Sequence, residues 1–236
     1  MSISENIVRV RQAIGAACER AARSEHDVTL MAVSKTQPAA ALQEAYAAGI
    51  RLFGENKVQE FQQKAPALNM PGARFALIGH LQSNKAAKAV EIFDAIDSVD
   101  SLRLADRLNE AAAKLDKRLP ILIEVKLSPE ETKAGLDPHS PEATALFERL
   151  PDLTHLEPQG LMTIAPWGVP EDVTRACFRS LRTWRDQWAT TYPRLNFESL
   201  SMGMSGDFPI AIQEGATRIR VGTALFGKRQ PYTGPV

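Results

Sequence analysis

Hydrophobic and polar positions along this chain follow two alternating periods. Near the start, Ile3, Ile7, Val10, Ile14 and Ala17 recur at helical spacing, and Ser2 with Glu5 has the spacing of a capping box. The period then shortens. Apolar or alternating runs at 28–34, 51–54, 75–79, 95–99, 121–127, 157–164, 197–202 and 217–221 predict eight strands. Helical patterns fall between them. Leu42, Ala45, Tyr46 and Gly49 mark one face, Ala105, Leu108, Ala112 and Leu115 a second, and Val173, Cys177, Leu181, Trp184 and Trp188 a third. Pro141, after Ser140, and Pro170, before Glu171 and Asp172, stand where first-turn prolines belong.

Eight strands alternating with helices predict the α/β class, with a parallel sheet closed into a (β/α)8 or TIM barrel and one extra helix before it. An open, doubly wound sheet is the alternative. The 236 residues suit one domain spanning 1–236. There is no internal repeat, low-complexity segment or long linker. The proline-rich stretch 230–236 is expected to be loosely ordered.

Composition narrows the setting. Hydrophobic residues make up 44% and charged residues 24%, and 28 basic side chains balance 28 acidic ones. Nothing in that balance favours nucleic acid or an anionic membrane surface. No stretch is apolar for the ~20 residues a membrane span needs. Met1 to Glu5 shows no basic segment leading into an apolar run, so the expected location is the cytoplasm. Cys18 and Cys177 are too far apart for a disulfide framework or a metal-ligand spacing. His26, His139 and His155 fall on predicted loops without metal-ligand spacing.

In a barrel of this kind the chemistry sits at the C-terminal ends of the strands. Those ends are polar here. Lys35 follows the first strand, Glu55 and Asn56 the second, and His80 the third; Ser201, Gly203, Ser205 and Gly206 close the seventh, and Arg220, Gly222 and Thr223 the eighth. A lysine at the lip of a barrel is partly desolvated, which lowers its pKa and frees the amine for Schiff-base chemistry. A surface lysine that only ends a strand is the plain alternative. Barrels often hold phosphate after strands seven and eight, where the glycines and hydroxyls are found; tight turns and a helix cap would use the same residues. An amine, an anion cradle and Arg220 together suit an aldehyde that carries a phosphate. Pyridoxal 5'-phosphate (PLP) is one such molecule and a sugar phosphate another. His80 reads as a hydrogen-bonded rim histidine and Lys133 as a solvated loop lysine. Glu55 with Glu60, and Glu130 with Glu131, read as helix-start or loop charges.

A series of segments makes the pattern more specific. These are Ala32-Val33-Ser34-Lys35-Thr36, Phe53-Gly54-Glu55-Asn56-Lys57-Val58-Gln59-Glu60, Ile78-Gly79-His80-Leu81-Gln82-Ser83-Asn84-Lys85, Gly160-Leu161-Met162-Thr163-Ile164, Leu200-Ser201-Met202-Gly203-Met204-Ser205 and Arg220-Val221-Gly222-Thr223-Ala224-Leu225-Phe226-Gly227. Through them the chain resembles the pyridoxal phosphate homeostasis protein family over nearly its whole length. The resemblance implies a barrel like the N-terminal domain of alanine racemase, without that enzyme's second β domain. It implies PLP as cofactor, held as an internal aldimine on Lys35, with Asn56 near the ring, Arg220 facing the pyridine nitrogen, and Ser201, Gly222 and Thr223 holding the phosphate. Lys57 and the turn at Ser205 depart from or vary within the family pattern, which makes Ser205 a weaker phosphate ligand than Ser201.

The implied role is intracellular homeostasis of PLP without substantial amino-acid turnover, with PLP-dependent apoenzymes as recipients. A guanidinium only donates hydrogen bonds, so a ring nitrogen facing Arg220 stays unprotonated and is a poor electron sink. Racemisation also needs an acid/base opposite Lys35, and Tyr46, Tyr192 and Tyr232 do not stand where one is needed. A PLP-dependent racemase and a cofactor-free Schiff-base aldolase are the competing functions.

Overall fold

A computed structural model describes residues 1–128 and 134–227. All eight expected strands form: β1 (Thr29–Val33), β2 (Leu52–Glu55), β3 (Arg74–Leu77), β4 (Ala95–Val99), β5 (Leu119–Glu124), β6 (Leu156–Met162), β7 (Ser199–Ser201) and β8 (Arg218–Val221). They pair in sequence order, every pair parallel, and β8 returns to β1 to close the barrel. The closed barrel is the expected fold, and the open sheet is excluded. Several predicted strands run past the observed ends. Residues 78–79, 125–127 and 163–164 leave the ladder to build the mouth, and β5 starts earlier than expected because Pro120 disguised its beginning. The 230–236 stretch lies outside the described residues.

The helices are α1 (Ile3–Arg20), α2 (Ala39–Ala47), α3 (Val58–Lys64), α4 (Ala86–Ile92), α5 (Leu102–Lys114), α6 (Pro141–Arg149), α7 (Glu171–Thr191), α8 (Phe208–Gln213) and α9 (Thr223–Phe226). The extra N-terminal helix opens on the expected capping box: Ser2 Oγ accepts from Glu5 N, and the Glu5 carboxylate accepts from Ser2 N. It packs outside the barrel against α2, α8 and α9. Asn6 Nδ2 ties it there by donating to Leu225 O at 2.8 Å in a buried setting. Pro141 takes the first turn of α6 as expected, whereas Pro170 precedes α7 as its N-cap. Three residues expected on buried faces are exposed, Gly49 just beyond α2, Leu115 at the C-cap of α5 and Val173 in the first turn of α7. Helix ends splay from the sheet, so the periodic face fades there.

Period-two alternation sorts the strand residues into two layers. Ala32, Phe53, Leu77, Ile96, Ile121, Ile123, Leu161, Leu200, Ile219 and Val221 join the large cluster beneath the helices. Met31, Ala76 and Ile78 form a separate small cluster, packed by Val33, Leu52 and Ala95, inside the barrel. That interior is not wholly apolar. Arg218 Nη1 donates to Asp97 Oδ2 at 2.8 Å. Because β8 and β4 stand opposite one another in the ring, this ion pair crosses the interior.

A buried pair broken on one side leaves the other charge stranded. Asp97→Ala is therefore expected to destabilise the protein by about 3–5 kcal/mol, read from urea denaturation. Replacing Asp97 and Arg218 together by leucine and methionine should recover most of that loss. Equal losses for the single and double substitutions would contradict it.

Candidate functional site

The alternation that builds the core also aims the site. Met31 and Val33 face the interior, while Ala32 lies in the helix-side layer. Lys35 lies two residues beyond the end of β1, at the mouth, and is half-buried. The chain turns sharply just beyond it, with Thr36 at φ 64°.

Arg220 lies on β8, the neighbour of β1, with Met31 opposite it in the ladder. Its residue is 3% exposed, which excludes an outward ion pair. Nη1 donates to Ser201 O at 2.7 Å and to Ser201 Oγ at 2.9 Å, and Nη2 donates to Thr163 O at 2.8 Å. Ser201 is thus a support for the guanidinium, and its own O–H remains a donor. The Arg220 main chain is held too, since its N–H donates to Gly203 O at 2.9 Å. Gly203 has φ 92°, and a Cβ there would stand 2.6 Å from Ala211 Cβ and 3.0 Å from Phe208 Cα. Only glycine lets this turn lie between β8 and α8.

The turn after β8 gathers donors. The N–H groups of Gly222 and Ala224 both donate to Ser205 Oγ, at 3.3 and 3.2 Å. Thr223, between them, is exposed. Two backbone donors converging on one oxygen are suited to an oxyanion. On the other side of β1, Asn56 follows β2 with a buried Oδ1 that has no hydrogen-bond partner. Gly79 makes room for it, because a Cβ there would fall 2.4 Å from Asn56 O.

Glu124, at the end of β5, was not anticipated. It is 5% exposed, and its Oε2 also lacks a partner. Burial pushes its pKa up to about 7; Arg220 and His80 oppose the rise and Asp100 adds to it. Asn56, His80, Glu124, Lys126, Ser128 and Ile164 line a cavity of about 180 Å³. His80 is the rim residue expected, with Nδ1 at 3.1 Å from Asp100 Oδ2 and its side chain 58% exposed. Burial lowers the pKa of Arg220 and raises that of Asp207, and attraction between the arginine and the nearby carboxylates resists both shifts. Among the described residues, no group of three or more His, Cys, Asp or Glu is arranged to hold a metal.

All six residues expected to bind cofactor thus lie along the same mouth: Lys35, Asn56, Ser201, Arg220, Gly222 and Thr223. They fit a flat polar ring with a phosphate. A ring hydroxyl would supply the donor that Asn56 Oδ1 lacks, Arg220 would offer its guanidinium, and the Gly222 turn its amides. Glu55 departs from expectation. It is buried against Lys64, as an ion pair at 2.8 Å, and is no loop charge. Lys133, Glu130 and Glu131 lie outside the described residues.

The comparisons agree with this geometry. The model for the alanine racemase N-terminal domain matches residues 9–230. The pyridoxal phosphate homeostasis protein of Aquifex aeolicus is 42% identical over 231 residues, covering 98% of this chain and 100% of its own. The protein of that name from Escherichia coli K12 is 40% identical, covering 96% and 97%. The chain belongs to the pyridoxal phosphate homeostasis protein family. A solved family member, PipY of Synechococcus elongatus PCC7942 with PLP bound, is 44% identical with a TM-score of 0.86 and covers 96% of this chain and 100% of its own. Alanine racemase of Clostridium difficile 630 shares the fold at 14% identity and TM-score 0.77, and 58% of it is covered.

The buried Glu124 carboxyl gives the family member a pH signature. Its folded pKa is raised above the ordinary 4.5 to about 7, so the folded state holds the proton more tightly. That contribution to stability is complete below about pH 4.5 and is lost as pH rises through about 7. Glu124→Gln, which stays neutral, is expected to gain stability relative to the parent between about pH 5 and about pH 8. Urea midpoints across that range test this, and a constant difference would refute it.

Proposed function

We propose that this chain binds pyridoxal 5'-phosphate with Lys35 as its covalent anchor, and that it holds and releases the cofactor without turning over amino acids. The observation that carries the reading is a half-buried lysine two residues beyond β1, beside a buried Arg220 on β8 whose guanidinium is held by Ser201 and Thr163. The chain works in this reading as one domain, 1–236. The relatives named for PLP homeostasis, and the PLP bound to PipY, support it.

When bound, the cofactor supplies an aldehyde that condenses reversibly with a primary amine. The protein's residues do the rest. Lys35 presents the amine. Arg220, pinned by Ser201 and Thr163, keeps a proton off the ring nitrogen because it can only donate. Gly222 and Thr223, with Ser201 behind them, take the phosphate. Asn56 accepts from the ring. With the nitrogen unprotonated, electrons are not drawn from an attached amino acid, so the residues favour retention over turnover. The two described tyrosines are committed elsewhere. Tyr46 donates to Pro71 O at 2.8 Å under the Arg51 guanidinium, and Tyr192 stacks on Phe147. Cytoplasmic PLP-dependent apoenzymes are the recipients in this reading. No helix among the described residues is long and apolar enough to cross a membrane.

The purified protein is expected to be yellow, and borohydride should fix the cofactor on Lys35, as read by peptide mass spectrometry. Lys35→Ala should be colourless. An adduct found on Lys85 or Lys126, with Lys35 unmodified, would overturn the anchor. A separate assay addresses turnover. Against a panel of amino acids with excess PLP, rates should stay far below the enzymatic median of about 10 s⁻¹. Turnover near that value, abolished by Lys35→Ala, would establish the racemase reading instead.

A further inference from the structure

The outer side of β1 carries a second lysine whose role the cofactor site does not explain. Lys64 is the last residue of α3, and its side chain is 9% exposed. Lysine is almost never buried so far unless it is paired. Its ammonium donates to three oxygens: Ser34 O at 2.9 Å, Glu55 Oε1 at 2.8 Å and Glu60 Oε1 at 3.2 Å. An ammonium has three N–H groups, so the set is complete. Ser34 Oγ donates to the same Glu55 oxygen at 2.7 Å. The Glu60 oxygen that meets Lys64 also accepts from Thr36 N.

These contacts enclose one residue. The carbonyl before Lys35 is held by Lys64, and the N–H after it is held by Glu60. Thr36 needs such support, since φ 64° is a left-handed conformation that a β-branched residue seldom adopts. Ser34 shares the phase of Ala32, on the helix side of the sheet. The bracket therefore lies behind the strand, away from the mouth, and reaches Lys35 only through its main chain.

We propose that Lys64, with Glu55 and Glu60, is a positioning residue that fixes the backbone on both sides of Lys35 and so aims its amine into the barrel mouth. The inference rests on the reading of Lys35 as the cofactor's anchor. Orientation of the reacting group accounts for large rate factors, and a displacement of about 1 Å can cost about a hundredfold.

The test uses the full chain and three variants. Lys64→Met removes the ammonium at similar length, Lys64→Arg restores a cation, and Glu60→Ala releases the Thr36 N–H and one of the three Lys64 acceptors while leaving the Lys64 contacts to Glu55 and Ser34 O. Hydrogen exchange at the Thr36 amide, measured without cofactor, should speed up about tenfold or more in Lys64→Met and Glu60→Ala while the β2 amides stay protected. The rate of yellow-adduct formation with pyridoxal 5'-phosphate should fall about tenfold or more in both, and recover in part in Lys64→Arg. Binding of pyridoxine 5'-phosphate, which lacks the aldehyde, should change by less than about twofold, because the mouth itself is untouched. Unchanged Thr36 exchange, or adduct formation at the parental rate, would overturn the proposal, as would equal losses of adduct formation and pyridoxine 5'-phosphate binding. Should Lys64→Met not fold, Glu60→Ala decides alone. A parent protein that forms no adduct would instead sink the anchor reading, while the exchange measurement still judged the bracket.

Discussion

Burying the Arg220 charge is the constraint around which the barrel mouth is organised. A guanidinium taken out of water must be given acceptors, and stranding it would cost several kcal/mol. The chain supplies Ser201 O and Oγ from the end of β7 and Thr163 O from just beyond β6. Three neighbouring segments of the ring are thereby tied to one side chain. The Arg220 main chain in turn sets the place of Gly203 and so of the turn into α8. Glu124 answers the same charge from β5, at an electrostatic rather than a hydrogen-bonded range. A neutral residue at 220 would take the donor from Ser201 Oγ and Thr163 O and leave Ser201 O with only the Thr163 N–H at 3.2 Å.

Much of this was legible in the sequence. The alternation of short apolar runs with helical patterns is enough for a parallel α/β sheet, because period two and period 3.6 are set by backbone geometry, but closure into a barrel rather than an open sheet is visible only in the pairing of β8 with β1. Lys35 and Arg220 were legible from their places near the ends of the first and eighth predicted strands and from the family resemblance, whereas alternation left open which way Lys35 points. Glu124 also carried a signal: it interrupts Ile121-Leu122-Ile123 just before Val125, and a lone carboxylate within an apolar run is costly without purpose. The Asp97–Arg218 pair and the bracket around Lys35 carried none, since each joins residues from different strands or helices. Glu55 was misread for that reason. Next to Glu60 it resembles the start of a helix, and only the ring places the Lys64 ammonium beside it. Strand ends were misjudged where apolar residues continue past the ladder to line the mouth.

The two faces of β1 divide the labour around Lys35. Its inward neighbours are apolar and leave the amine in a partly desolvated setting, while the outward neighbour Ser34 belongs to a hydrogen-bonded network with Lys64 and Glu55. Charges behind the strand can thus grip the backbone without contributing polar groups to the mouth. In the proposed reading, holding and releasing a cofactor is served by this separation, because rigidity comes from contacts that the ligand neither makes nor breaks.

The ion pair across the barrel floor has a consequence for how the chain is made. Asp97 and Arg218 are 121 positions apart, and Asp97 meets this partner only once β8 is in place. During synthesis the carboxylate must stay hydrated until β8 emerges and docks. A half-built sheet therefore keeps water in its interior, which works against premature collapse onto the wrong edge. Completion of the ring expels that water and unites the two charges in one event. The nascent protein is in this sense protected from settling early, and its last strand acts as the latch that makes the preceding ones final.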